Sequence, residues 1–338
     1  MHFAWQALGR ATISAAAQTL ATMKNWINRL LSGAEPQAAT PEEAQSGTDN
    51  AATDALYYLW LAGPARFDAP PETERLILEQ VRTLAQNPAV AAELVPRVPE
   101  LIPKLLRSLR DESVTTGELA GQVAEDVVLV AEVLREANSA YYRPVTPIKT
   151  LDAAIMLLGQ NGLRMLLARV AFRPVIKLHE AGFARRAAPL VWNHSEKCAV
   201  AASLMASAVA ADIFESCLAG LMQDVGLIVA FRLADRVCQN GKVPASEAFG
   251  VELLARSRQL SAVIARHWDF PDKVAEGIAR AGEPDGSSLA QALAQGDRIA
   301  KLRLLIDAGK LAEDDALVTE GLNSYERRCL GKLSNLES

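Results

Sequence analysis

Cysteine is scarce in this 338-residue chain: Cys198, Cys217, Cys238 and Cys329 are the only four, and no two form a C-x-x-C pair. That spacing excludes a zinc ribbon and a thioredoxin-type redox motif. So few cysteines at this length also argue against a secreted disulfide framework, and the expectation is small apolar core residues in a reducing cytoplasm. A basic excess is missing too. Lys+Arg is 35 against Asp+Glu 40, a net charge of −5. The balance excludes a chain that binds nucleic acid through general basicity, so no nucleic-acid partner is expected. No run of about 18 uncharged apolar residues occurs, which excludes a transmembrane helix of the usual kind. The opening Met1-His2-Phe3-Ala4-Trp5 lacks a basic stretch followed by an apolar core, so it does not read as a secretory signal, and a cytoplasmic location is expected. Strand signals are absent as well: no stretch shows convincing alternation with turn residues at its ends.

What is present is helix. Hydrophobic residues make up 50% of the chain and charged residues 22%, enough apolar surface to build a core and too much for general disorder. Residues 1–31 read as one amphipathic helix, with Ile13, Ala16, Leu20, Met23, Ile27 and Leu30 at alternating spacings of three and four. The segment carries Arg10, Lys24 and Arg29 and no acid, so it reads as a helix that docks on its own chain or on a partner. Residues 32–52, with Pro36, Pro41 and four acids, read as a flexible linker. Then come a first helical lobe over 53–172, a second over 173–301 and a helical cap over 302–338.

Within these lobes the apolar spacing predicts helices over 72–86 and 101–109. Thr115-Thr116-Gly117-Glu118 has capping-box spacing and opens a helix through Ala137. A helix starting at Thr150-Leu151-Asp152 is expected to end at Gly159, with another over 162–172. Further helices are expected over 190–211, 214–232, 246–267, 272–281, 288–307 and 313–332. The fold class is all-α.

Chemistry has few carriers. The histidines are His2, His179, His194 and His267. His194 is expected just before a helix over 195–211, Asp224 lies in Gly220-Leu221-Met222-Gln223-Asp224-Val225-Gly226, and Asp297 follows Gly296. One His and two Asp on consecutive helices can meet in a bundle core and hold a hard divalent cation. They can equally serve as caps or core hydrogen-bond partners, and spacing alone favours that reading. Asn138 and Ser139 read as a helix stop that bonds the free carbonyls and the next turn, with Tyr141 and Tyr142 packed under Pro144; a ligand or partner surface is the other reading, and turn chemistry favours the first. Arg185-Arg186 with Arg173 and Lys177 reads as a solvated basic face, or as a seat for an acidic partner or a nucleotide phosphate.

Several motifs, in order, resemble the HDOD domain, the HD-related output domain of bacterial signalling proteins. Val98-Pro99-Glu100-Leu101 with Leu105-Leu106 is similar to its opening motif. Leu134-Arg135-Glu136-Ala137-Asn138-Ser139-Ala140-Tyr141-Tyr142 is the most telling run, continued by Pro144-Val145-Thr146-Pro147-Ile148 and Ala153-Ala154-Ile155-Met156-Leu157-Leu158-Gly159. Trp192-Asn193-His194-Ser195 and Ala219-Gly220-Leu221-Met222-Gln223-Asp224-Val225-Gly226 fall where the family has its W-x-H-S and A-G-L-L-H-D-I-G segments. Phe249-Gly250-Val251-Glu252 and Trp268-Asp269-Phe270-Pro271 extend the likeness to about Lys301.

The resemblance implies a degenerate member of a superfamily that binds metal with His…His-Asp…Asp and uses it to activate water against a phosphate ester. His194 keeps the first His, Asp224 the Asp of the pair and Asp297 the last Asp. Gln223 stands where the pair has its His, and an amide is a poor substitute for imidazole on a transition metal. Leu227 stands where catalytic cyclic di-GMP phosphodiesterases of the HD-GYP type carry Lys, and Leu253 and Ala281-Gly282 replace further histidines. His267 falls outside the ligand positions, at a helix end. The expectation is therefore a relic site. His194, Gln223, Asp224 and Asp297 form a hydrogen-bonded cluster that ties two helices together, with no catalytic residue and no cofactor; a metal, if one is held, sits on His194, Asp224 and Asp297. The implied function is a non-catalytic signal-transduction output or adaptor module, in a cyclic di-GMP or two-component circuit. It would contact signalling proteins through the 1–31 helix or the groove between the lobes. The alternative is a metal-dependent phosphohydrolase with an atypical site. A nucleotide sensor without catalysis is a third reading, disfavoured because Asp224 and Asp297 repel phosphate.

Overall fold

Side chains at the helix starts explain why these segments are helices. Thr115 and Glu118 make the expected capping box: the Thr115 hydroxyl accepts from the Glu118 amide at 3.3 Å, and the Glu118 carboxylate accepts from the Thr115 amide at 2.8 Å. Asp212, Ser246, Ser287 and Asn323 cap four further helices in the same way, each accepting from a backbone N–H of the first turn. The computed structural model describes residues 50–95, 115–124, 127–139, 142, 144–172, 182–238 and 241–334. The predicted helices over 1–31 and 101–109, most of the 32–52 linker, His2, His179, Tyr141, Arg173 and Lys177 lie outside the described residues.

Among the described residues the order is α1 (Ala51–Ala62), a short turn of 3-10 helix (Gly63–Ala65), β1 (Arg66–Phe67), α2 (Pro71–Ala85), α3 (Pro88–Glu93), α4 (Thr116–Ala124) and α5 (Val127–Ala137). There follow α6 (Leu151–Phe172), α7 (Phe183–Ala206), α8 (Ile213–Met222), α9 (Val225–Cys238) and β2 (Val243–Pro244). The chain continues through α10 (Glu247–His267), α11 (Asp272–Ala279), α12 (Ser288–Asp307), α13 (Ala316–Thr319) and α14 (Ser324–Leu333). The two strands are two residues each and pair in parallel, so the fold is all-α as expected.

Three boundaries differ from expectation, each for a physical reason. The helix expected over 190–211 is α7, which begins at Phe183, because the Asp235 carboxylate on α9 accepts from the Phe183 and Ala184 amides at 2.7 and 2.9 Å. His194 therefore lies in mid-helix and not before it. The helix expected over 214–232 is two helices, broken at Gln223–Asp224. The boundary expected at Gly159 holds: its backbone is non-helical, at φ 66° and ψ 177°, and α6 is two helices that meet there across a kink. The helix expected over 313–332 is α13 and α14 with a turn between. At the N-terminal side, Ala51 and Ala52 belong to α1 and not to the linker.

α7 is the central element, flanked by α8 and α12. Two glycines let these neighbours approach. A Cβ on Gly220 would lie 2.5 Å from the Ala199 Cα, and one on Gly296 would lie 2.5 Å from the Ala202 amide nitrogen. Neither site admits a side chain without moving a backbone, so the two glycines set the distance from which Asp224 and Asp297 reach His194. One apolar core runs from Tyr57 to Leu304 and includes both predicted lobes. A second, smaller core under α14, with Met205, Ile299, Leu302, Val318 and Leu330, anchors the cap. α1 packs on α10, α12 and α7, so the first described helix belongs physically with the second lobe. The segment Ile213–Cys238 is apolar enough to resemble a membrane span, with mean hydropathy 1.6, yet it is 94% buried in the bundle and broken at Gln223–Asp224.

Candidate functional site

His194 is the centre of the one extensive buried ionic cluster that the described residues hold around the predicted positions. Its imidazole is fully buried. Nδ1 donates to Asp224 Oδ2 at 2.6 Å, and Nε2 faces Asp297 Oδ1 at 3.3 Å. Ser195 adds a donor to the same Asp224 oxygen at 3.0 Å. Gln223 Nε2 donates to Asp297 Oδ1 at 3.1 Å and to Cys198 Sγ at 2.9 Å. All four predicted residues thus meet, on α7, on the α8–α9 break and on α12. The break itself is held by Ser261 on α10, whose hydroxyl donates to the Gln223 carbonyl at 2.6 Å and accepts from the Gly226 amide at 2.8 Å.

The cluster is larger than expected, and it ties together four helices and the α8–α9 turn, not two helices. Lys301, one turn after Asp297 on α12, places Nζ 2.6 Å from Asp297 Oδ2 and 2.6 Å from Asp54 Oδ1 on α1. Arg258 on α10 donates to Asp297 Oδ2 at 3.2 Å. The Tyr57 ring lies 4.9 Å from the imidazole and 5.5 Å from the Lys301 ammonium. Three cationic side chains (His194, Arg258, Lys301) face three carboxylates (Asp54, Asp224, Asp297), and the formal charges cancel. Burial opposes the charge on His194, but Asp224 and Asp297 outweigh it and raise its pKa to about 9. Burial likewise opposes ionisation of Asp297, yet Lys301, the His194 hydrogen bond and Arg258 hold its carboxyl far below the usual range. Burial, reinforced by Asp297 and Asp224, pushes the Cys198 thiol well up, so this cysteine is no nucleophile.

The donor set does not fit a metal. Both imidazole nitrogens already face carboxylates, which leaves no lone pair directed at an ion, and the two carboxylates stand on opposite edges of the ring. Asp297 is committed to two cations and an amide. Among the described residues, no three His, Cys, Asp or Glu side chains are placed to hold a metal ion.

The other predicted motif lies apart and is built into a turn. Asn138 Nδ2 donates to the Leu134 and Ile148 carbonyls at 2.7 and 2.8 Å, and its Oδ1 accepts from the Ile148 amide at 2.7 Å. Ser139 accepts through its carbonyl from the Tyr142 amide at 3.2 Å. Tyr142 is half-buried against the core. An adjacent residue, Glu136, links this turn to α7: Arg169 on α6 donates to Glu136 at 3.0 Å and to Glu196 at 3.1 Å. His267 ends α10, as expected. Sequence reasoning missed Lys301, Arg258, Asp54 and Tyr57. The Asp297–Lys301 spacing of four on one helix face was a readable signal; Asp54 lies too far away in the chain to be paired without the fold.

The fold is an all-α bundle whose buried cluster gathers His194, Gln223, Asp224 and Asp297. The chain belongs to the HDOD domain family, whose model matches residues 95–284, more than half of the chain. A protein from Shewanella amazonensis SB2B, described provisionally as a metal-dependent phosphohydrolase, has a TM-score of 0.54 at 16% identity, over 79% of this chain and 100% of that one. A Marinobacter aquaeolei VT8 protein, described provisionally as a signal transduction protein, has a TM-score of 0.50 at 18% identity, over 87% of this chain and 65% of that one. An uncharacterized protein of Treponema pallidum (strain Nichols) is 22% identical over 207 residues, 59% of this chain. The chain spans about two fifths (39%) of that curated relative's length. At these identities the likeness is one of fold.

Proposed function

We propose that this chain is a non-catalytic signal-transduction module, bacterial and cytoplasmic, that acts through protein contacts. The observation that carries the reading is the state of Asp297. Lys301 and Arg258 occupy the carboxylate that a metal would need, while His194 and Gln223 engage its other oxygen. A hydrolase of this superfamily type needs an open ligand position and a cation that polarises the phosphate. Gln223 and Leu227 stand where such residues would be. Family membership supports an output role, and the description of the Marinobacter neighbour agrees with it. The 1–31 segment and the groove between the lobes are the proposed contact surfaces, in a cyclic di-GMP or two-component circuit.

The test is elemental analysis of the purified protein, with Asp224→Ala as control. The expected result is no stoichiometric manganese, iron or zinc in either. Roughly one metal per chain, lost in the variant, would overturn the reading. It would instead support the second reading, a metal-dependent phosphohydrolase with an atypical site. That reading draws on the meeting of His194, Asp224 and Asp297 and on the description of the Shewanella neighbour. It requires Lys301 and Arg258 to leave Asp297.

A further inference from the structure

α1 is apolar all round. Apart from Thr53 and Asp54 its residues are Ala, Leu, Tyr and Trp. Thr53 is buried and Asp54 is paired with Lys301, so neither serves the outer side. A helix of this composition is ordinarily enclosed on every side. The inner side of α1 meets that expectation, with Tyr57, Tyr58, Leu61 and Ala62 in the core. The outer side does not. Ala51 and Ala52 are exposed, Leu56 is 37% exposed, and Leu59 and Trp60 are half-buried. Ala52, Leu56, Leu59 and Trp60 stand at i, i+4, i+7 and i+8, which makes one stripe without a charge. α2, the next α-helix, shows what water ordinarily meets: Glu72, Arg75, Glu79 and Arg82 share its exposed side with Leu76.

The part of the chain outside the described residues ends on this helix. Residues 1–49 run directly into α1, whose N-cap is Asn50. Their sequence holds what the stripe needs, since the spacing over 1–31 predicts a helix with an apolar seam. The stripe from Ala52 to Trp60 is about 12 Å long, and the seam from Leu20 to Leu30 is about 15 Å. A flexible linker over 32–49 reaches about 20–25 Å, enough to lay one along the other. Charge favours the same pairing. The 1–31 segment carries +3 within a chain of net charge −5, so the remainder carries −8.

We propose that the apolar seam of residues 1–31 packs on the outer side of α1, as a strap over Ala52, Leu56, Leu59 and Trp60. α1 itself stays in the core as the platform. The inference goes beyond the proposed function: it says where the segment sits when no partner holds it, and the metal content of the cluster bears on it in neither direction. Hydrogen exchange on the full chain tests it, in the parent and in an Ala52→Lys/Leu56→Lys variant. Both positions are exposed, and each lysine puts a cation where the basic segment would dock. In the parent, amides of residues 13–30 are expected to exchange at least about tenfold slower than unstructured chain of that sequence. In the variant they are expected to speed up at least about tenfold, with α7 and α12 unchanged. Unprotected amides in the parent, or equal protection in a folded variant, would overturn the proposal. So would protection that grows with protein concentration alongside a dimer in sedimentation, which would assign the contact to a second copy. Protection gained only with vesicles of anionic phospholipid would assign the segment to a membrane and overturn it too. Should the double variant fail to fold, Leu56→Gln takes its place with the same expectation.

Discussion

His194 and Glu196 are two residues apart on α7 and face different polar assemblies. His194 looks into a cluster in which three cations meet three carboxylates, enclosed by four helices and the α8–α9 turn. Glu196 shares Arg169 with Glu136, where the side chains are 14–15% exposed, and Arg135, 51% exposed, adds a second cation to Glu136 at 3.4 Å. The difference teaches what burial demands. Deep in the bundle a carboxylate persists only if buried cations and donors match it; nearer the surface one of the matching cations, Arg135, is itself half in water. The first assembly determines how the bundle packs. The second links the turn at Asn138 to α7.

The comparison breaks most visibly at Lys301. Lys301→Met leaves Asp54 without its cation and Asp297 with Arg258 and His194 alone, and is expected to cost about 3–5 kcal/mol in urea unfolding. A loss under about 1 kcal/mol would mean that water reaches the cluster as it reaches Arg169.

The next effect is one of pH. His194 has a folded pKa raised to about 9, so its contribution is complete below about pH 6.5 and is lost as the pH rises through 9. Thermal unfolding should therefore show about 3 kcal/mol of stability disappearing between those values, and a flat profile in His194→Gln. Asp297 works in the opposite sense: its stabilisation is present above the ordinary carboxylate pKa and fades only in strong acid. A parent whose stability is unchanged from pH 6.5 to 9 would place a neutral imidazole in the cluster.

Asp224→Ala removes the partner of His194 Nδ1 and Ser195, with an expected cost of about 1–3 kcal/mol and no loss of turnover, since none is expected. Asn138→Ala tests the other region. Its amide closes a turn at the surface, so about 1 kcal/mol is expected, measured in the same denaturant series. A larger loss there than at Asp224 would reverse the ranking of the two regions. The smallest effect has the opposite sign. Tyr57→Phe removes a buried hydroxyl without a partner and is expected to raise stability by up to about 1 kcal/mol. A clear loss would show that the hydroxyl is satisfied by bound water.

Much of the bundle was legible because its signals are local. The capping box at Thr115 and the helices over 246–267 and 288–307 are read within a few residues. The missed boundaries depend on partners far along the chain. α7 starts early because Asp235 caps it from 51–52 residues away. The break at Gln223–Asp224 is stabilised by Ser261, another non-local bond.

The candidate site divides in the same way. Motif order and residue type were enough to bring His194, Gln223, Asp224 and Asp297 together; that Gln223 replaces a ligand is what the resemblance implied. The orientation of the imidazole between two carboxylates was not readable, because it follows from the distance that Gly220 and Gly296 allow on either side of α7. Neither were the counter-ions. Composition and periodicity are enough for an all-α chain, and the resemblance implied which polar residues meet. Only the packed structure, by bringing Asp54 from α1 and Arg258 from α10 to the Asp297–Lys301 pair, decides that the site neutralises its own charge. Charge balance in a water-poor interior depends on which groups lie within a few ångströms, and sequence separation does not report that distance.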